Sequence, residues 1–157
     1  MNALKNKKEH IIKKIMWIRY QMEVPMTERE KMLAGELYDC GDAELLTQWH
    51  KAKDLVRDYN QTNSADADEK ERILNELLGG KGKNLWITAP FYVDYGNNIY
   101  FGSNCEVNMN CTFLDDNIIR IGDNALIAPN FFSPADTEQW AMLFQQQSEL
   151  ITPPESQ

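Results

Sequence analysis

A six-residue rhythm beginning at Phe101 constrains what this chain can fold into. Its units are "FGSNCE", "VNMNCT", an expanded "FLDDNIIR", "IGDNAL" and "IAPNFF". Most open on an aliphatic or aromatic residue, and Cys105, Cys111 and Ala125 fill the small fifth position. A repeat this short cannot bury its apolar face alone. It reads as a parallel β-helix, in which each unit supplies a strand and a turn and stacked units share one interior. Small residues suit tight corners, so packing alone accounts for Cys105 and Cys111. The rhythm stops after Asn130.

Upstream the pattern is helical. Thr27 and Glu30 form a capping box, Thr at N-cap and Glu at N3, ahead of "KMLAGELY". After a break at "DCGD", Leu45, Trp49, Ala52, Leu55 and Val56 make one stripe of a helix over roughly Ala43–Tyr59. The polar loop "NQTNSADAD" ends in Asp caps for a third helix to about Leu78, which "GGKGKN" closes with glycine. A phosphate-loop reading of that glycine cluster fails: no strand precedes it, and Lys83 is followed by Asn84 rather than Ser or Thr. From Leu85 the character becomes β, with Ile87, Phe91, Val93 and Tyr95 mostly alternating before an Asn-Asn turn. The expected class is α+β. Residues 26–84 form a helical unit and 85–132 a partial β-helix, flanked by an extension (1–25) and a divergent tail (133–157).

Composition narrows the function. The net charge of −8 argues against a general nucleic-acid binder. Residues 1–25 carry +4 and the remainder −12. Over 4–22, Ile11, Ile15, Ile18 and Met22 mark a basic amphipathic helix that could lie on an anionic membrane or dock a partner. The alternative is an extension upstream of a start at Met26, and expectation favours it. Cys40, Cys105 and Cys111 form no CxxC pair, so reduced thiols in a cytoplasm and no metal site are expected. In the tail, Ser133 as N-cap and Pro134 at N1 start a short helix whose stripe includes Trp140, Leu143 and Phe144. The tail is either a cap over the open end of the β-helix or translation in a shifted frame, with the shift favoured.

The segments "MTEREKMLAGELYD", "RDYN", "GKNLWITAPFYVDYGNNIYFG", "NMNCTFLDD" and "IRIGDNALIAPN" resemble, in order and spacing, the maltose/galactoside O-acetyltransferase family. The resemblance covers about Met26 to Asn130. It implies a left-handed β-helix of about eighteen residues per turn, fronted by a small helical domain and assembled as a trimer with active sites between subunits. It also implies acetyl transfer from acetyl-CoA, a co-substrate and not a tightly bound cofactor, to a sugar hydroxyl deprotonated by a histidine. By the same resemblance Asn108 stabilises developing negative charge. Asp116, and Asp39 or its immediate neighbour, contact the acceptor sugar.

Three departures accompany that match. Trp49 stands where relatives often carry an acceptor-binding arginine, and Glu106 where some place a tyrosine. The family's histidine-proline segment and its acetyl-CoA groove have no counterpart here, and neither His10 nor His50 lies in a matching motif. The expectation is a family member inactive by itself, alone, as a homotrimer, or mixed into the trimer of an intact relative. With somewhat under two β-helix turns from Phe101 onward, marginal stability is also expected.

Overall fold

The computed structural model describes residues 25–133, together with Lys14. The amphipathic helix read over 4–22 and the tail helix that starts at Ser133 lie otherwise outside these described residues.

From residue 25 onward the described chain begins with three helices: α1 (Glu28–Ala34), α2 (Ala43–Gln61) and α3 (Ala67–Leu77). The capping box forms as read. Thr27 accepts from the Glu30 N–H, and the Glu30 carboxylate takes the Thr27 N–H at 2.8 Å. Asp42 and Asp66 cap α2 and α3 through their side chains. Among the described residues, no helix is long and apolar enough to cross a membrane.

Among the described residues nine short strands follow: β1 (Gly80–Lys81), β2 (Trp86–Ile87), β3 (Phe91–Val93), β4 (Ile99–Phe101), β5 (Glu106–Val107), β6 (Cys111–Phe113), β7 (Ile119–Ile121), β8 (Leu126–Ile127) and β9 (Phe132–Ser133). They pair in three parallel sheets, β1-β4-β7, β2-β5-β8 and β3-β6-β9. The described chain thus winds through three faces per coil in three stacked coils.

Gly80 pairs with Tyr100 and Tyr100 with Arg120; Phe91 pairs with Cys111. Each coil is therefore 20 residues long, which corrects the expected eighteen. The additional length sits at one corner, Asp94–Asn98 in the first coil and Leu114–Ile118 in the second, between the third and first faces. The expanded unit "FLDDNIIR" is that corner seen in sequence.

The somewhat under two turns read from Phe101 onward are joined by a further coil upstream of that residue, so that each sheet is three strands deep among the described residues. The first coil precedes the audible rhythm, because β1 consists of Gly80 and Lys81, neither of them an apolar inward residue. The glycines there do not close α3, whose C-cap is Leu78 in an extended conformation. They allow close coil-to-coil approach: a Cβ on Gly82 would stand 2.5 Å from the backbone nitrogen of Ser103.

Asparagines turn the corners. Asn84, Asn104 and Asn124 all have φ near +60°, the left-handed region that Asn tolerates better than most residues. They also form a ladder, Asn84 Nδ2 donating to Asn104 Oδ1 at 2.8 Å and Asn104 Nδ2 to Asn124 Oδ1 at 3.2 Å.

A single core joins helices and coils. Val56, Tyr59, Ile73 and Leu77 from α2 and α3 cluster with Ile87, Phe91, Ile99, Val107, Phe113 and Ile127 from the sheets. Cys105 and Cys111 are buried in that core and free, and burial pushes the Cys111 thiol up.

α2 also satisfies the exposed edge of the first coil. Tyr59 Oη donates to Ile87 O at 2.7 Å, and Asn60 exchanges two hydrogen bonds with Phe91. Lys53 Nζ donates to Val93 O at 2.6 Å. An open strand edge is a row of unpaired donors and acceptors, and here helix side chains pair it.

Candidate functional site

The corner that lengthens each coil is also where charge collects. Asp115, in the second coil, is fully buried. Its Oδ1 accepts the N–H groups of Asp94 and Tyr95 at 3.0 and 2.8 Å, which fixes the corner of the first coil from above. Its carbonyl accepts Asn98 Nδ2 at 2.7 Å, and Asn98 Oδ1 accepts Arg29 Nη2 at 3.2 Å. α1 is tied to the coils by this chain. Burial pushes the Asp115 carboxyl up to about 6 against the backbone N–H groups of Tyr95, Asp94, Asn98 and Asp115 itself, which pull it down.

Asp116 follows directly and is half-buried. Burial raises its carboxyl above the ordinary range, and the Asp94 charge raises it further; the Tyr38 hydroxyl and the Lys53 charge oppose this. Tyr38, from the loop after α1, is itself raised by burial and then by the nearby Asp116 charge. Lys53 reaches in from α2, 3.0 Å from Asp94 Oδ1 and 4.8 Å from the Trp49 ring centre. Tyr38, Lys53, Asp94 and Asp116 thus meet from four segments: a helix–helix loop, α2, and the corners of two coils.

Asp39 is exposed, and its carboxylate accepts the Gly41 N–H at 2.8 Å. Its own N–H donates to Glu28 Oε2 at 2.6 Å, so it organises the turn between α1 and α2. Tyr38, one residue earlier, is the neighbour that faces Asp116. Sequence reasoning passed over Tyr38; its position beside an acid in "ELYDC" was the available signal.

Asn108 occupies the corner after β5. Its N–H donates to Ile127 O at 3.0 Å and its Oδ1 accepts the Met109 N–H at 3.1 Å. Among the described residues nothing accepts from Nδ2, which leaves an amide donor for a ligand. Asn108 and Asp116 stand at different corners of the coil and share no hydrogen-bond partner.

The departures also have places. Trp49 packs on the small cluster of Met32, Leu45 and Tyr95. Glu106 is exposed between Trp86 and Leu126 on the outward side of the second face. His50, exposed on α2, meets Trp49 edge-on at 5.1 Å and makes no hydrogen bond to Asn108 or Asp116. His10 lies outside the described residues.

Comparison with known proteins agrees with this architecture. Residues 31–82 match the maltose acetyltransferase hexapeptide capping motif. The galactoside O-acetyltransferase of Escherichia coli K12 is 37% identical over 109 residues, covering 69% of this chain and 53% of the relative. A solved galactoside acetyltransferase in complex with coenzyme A superposes with a TM-score of 0.65 at 33% identity, covering 69% of this chain and 54% of that one. A maltose O-acetyltransferase from Clostridium difficile 630 gives a TM-score of 0.67 at 37% identity, over 77% of this chain and 65% of that one. The chain spans about half the length of the curated relatives it matches. Both its helical unit and its three coils are those of hexapeptide-repeat acetyltransferases, and the chain belongs to the maltose/galactoside O-acetyltransferase family, matching its N-terminal portion.

Proposed function

We propose that this chain carries the acceptor side of a sugar O-acetyltransferase and does not complete acetyl transfer alone. The observation that carries this reading is the half-buried Asp116, set against Tyr38 and Asp94, with no described histidine in hydrogen-bond contact with it or with Asn108. Carboxylate oxygens and a phenol hydroxyl are apt partners for sugar hydroxyls. Asn108 Nδ2 supplies a donor for the oxygen of a tetrahedral intermediate.

In the complete reaction a base takes the proton of the sugar hydroxyl. The alcohol oxygen attacks the thioester carbonyl of acetyl-CoA, the C–S bond breaks, and the CoA thiolate leaves and is protonated. A solved relative holds coenzyme A. This chain offers the acceptor contacts of Asp116, Tyr38 and Asp39, but His50, the one histidine among the described residues, lacks the placement for the base. Isothermal titration with maltose and a galactoside tests the acceptor role. Saturable binding lost in Asp116→Ala is expected; flat titrations overturn it.

A second reading is favoured by the outward residues of two faces. Trp86, Tyr92, Met109, Leu126 and Phe132 are all large, apolar and exposed along the second and third sheets and the corner between them. Such a surface suits association with a second copy, as a trimer, or with an intact family member in a mixed trimer. Co-expression with an intact acetyltransferase and affinity capture tests this: recovery of both chains supports it, and recovery of this chain alone ends it.

A further inference from the structure

Lys53 is held by three directional contacts. It donates to Val93 O at 2.6 Å and to Asp94 Oδ1 at 3.0 Å, and its charge lies 4.8 Å from the centre of the Trp49 ring. Lys53 and Trp49 are one helical turn apart on α2, so the ring guides the lysine toward the corner. Asp94 is thereby fixed twice: its backbone N–H by Asp115 from the next coil, and its carboxylate by Lys53 from the helix.

Asp116 adjoins Asp115, which places its carboxylate and that of Asp94 in one neighbourhood although 22 residues separate them. Two like charges at a half-buried site repel, and Lys53 is the cation on both. The other titratable groups facing this pair are Tyr38 and Cys40 from the loop before α2, Tyr95 from the first-coil corner, and buried Asp115. All are acids or neutral; Lys53 alone among these named groups brings positive charge.

We propose that Lys53 is a positioning residue that holds the Asp94–Asp116 carboxylate pair in place for a neutral sugar acceptor. This rests on the reading of Asp116 as an acceptor contact. A neutral polyol donates hydroxyls to the pair. An anionic sugar would meet two carboxylates and a lysine already engaged, so the site selects against it.

The test is a pH titration of the Asp116 carboxyl carbon by NMR in the full chain, for the wild type, Lys53→Met and Lys53→Arg. Methyl β-galactoside is then titrated into each. In Lys53→Met the Asp116 midpoint is expected to rise and sugar binding at neutral pH to weaken; Lys53→Arg is expected to restore both. A folded Lys53→Met protein with an unchanged midpoint overturns the proposal. If Lys53→Met does not fold, Asp94→Asn decides. Removing the like charge should lower the Asp116 midpoint, and an unchanged midpoint shows that no such pair exists. Absence of sugar binding in the wild type would end the acceptor reading, while the titration would still decide the role of Lys53 in the pair.

Discussion

Asn60 and Phe91 hydrogen-bond each other twice, Asn60 Nδ2 donating to Phe91 O at 2.9 Å and Phe91 N–H donating to Asn60 Oδ1 at 3.1 Å. One side chain thereby satisfies both polar groups of a strand residue on the exposed edge of the first coil. Asn60→Ala should leave that pair unmatched beneath the helix and cost about 2 kcal/mol. Urea unfolding checks it, and a loss within experimental error would mean that water replaces the side chain.

A related expectation concerns cooperativity. Tyr59, Ile73 and Leu77 share one cluster with Ile87, Phe91 and Phe113. Amides of α2 and of β2–β3 should therefore exchange through a common opening, with similar protection free energies. Hydrogen exchange in which the helices open well before the coils would contradict a shared core.

Gly82, Gly102 and Gly122 occupy equivalent positions in successive coils, yet they differ in what a methyl would meet. On Gly82 it would stand 2.5 Å from both the backbone nitrogen and the hydroxyl of Ser103, whereas on Gly122 nothing among the described residues lies within 4 Å. Gly82→Ala should destabilise by about 1–3 kcal/mol. Gly122→Ala should fall within about 0.5 kcal/mol of the wild type. Equal thermal midpoints for the two variants would refute the coil-to-coil contact.

Asp115 gives a pH signature. Burial lifts its folded value to about 6 from an ordinary 3.8. The folded state therefore binds this proton more tightly than the unfolded chain. The stabilising contribution is fully present below the ordinary value and is lost as pH rises through about 6. Asp115→Asn keeps an oxygen for the Asp94 and Tyr95 N–H groups but cannot titrate. The difference in stability between wild type and variant should shift against the wild type across that window. A pH-independent difference would show that Asp115 is charged throughout.

How far these features could be read from residues alone depended on the distance over which each is determined. The Thr27–Glu30 capping box is local, and it formed as read. The six-residue rhythm likewise marked β5 to β8, because inward apolar residues recur at fixed spacing, whereas β9 was not marked: its inward residue is Ser133, which was read as the N-cap of a tail helix. β1 escaped notice because Gly80 and Lys81 carry no apolar signature, and pairing with Tyr100 and Phe101 is what makes them a strand. The pair "DD" was read for Asp116 alone. That Asp115 is the buried member follows from contacts with Asp94 and Tyr95, 20 or more residues away. Asn60 and Phe91 meet across 31 residues, beyond any periodicity in either segment.

The most direct test of the central claim is an acetyl-transfer assay with the purified full chain, radiolabelled acetyl-CoA, and maltose or a galactoside as acceptor. The expected result is saturable sugar binding without labelled product. Turnover that disappears in Asn108→Ala would contradict the account, because the chain would then complete the reaction although no described histidine stands beside Asn108 or Asp116.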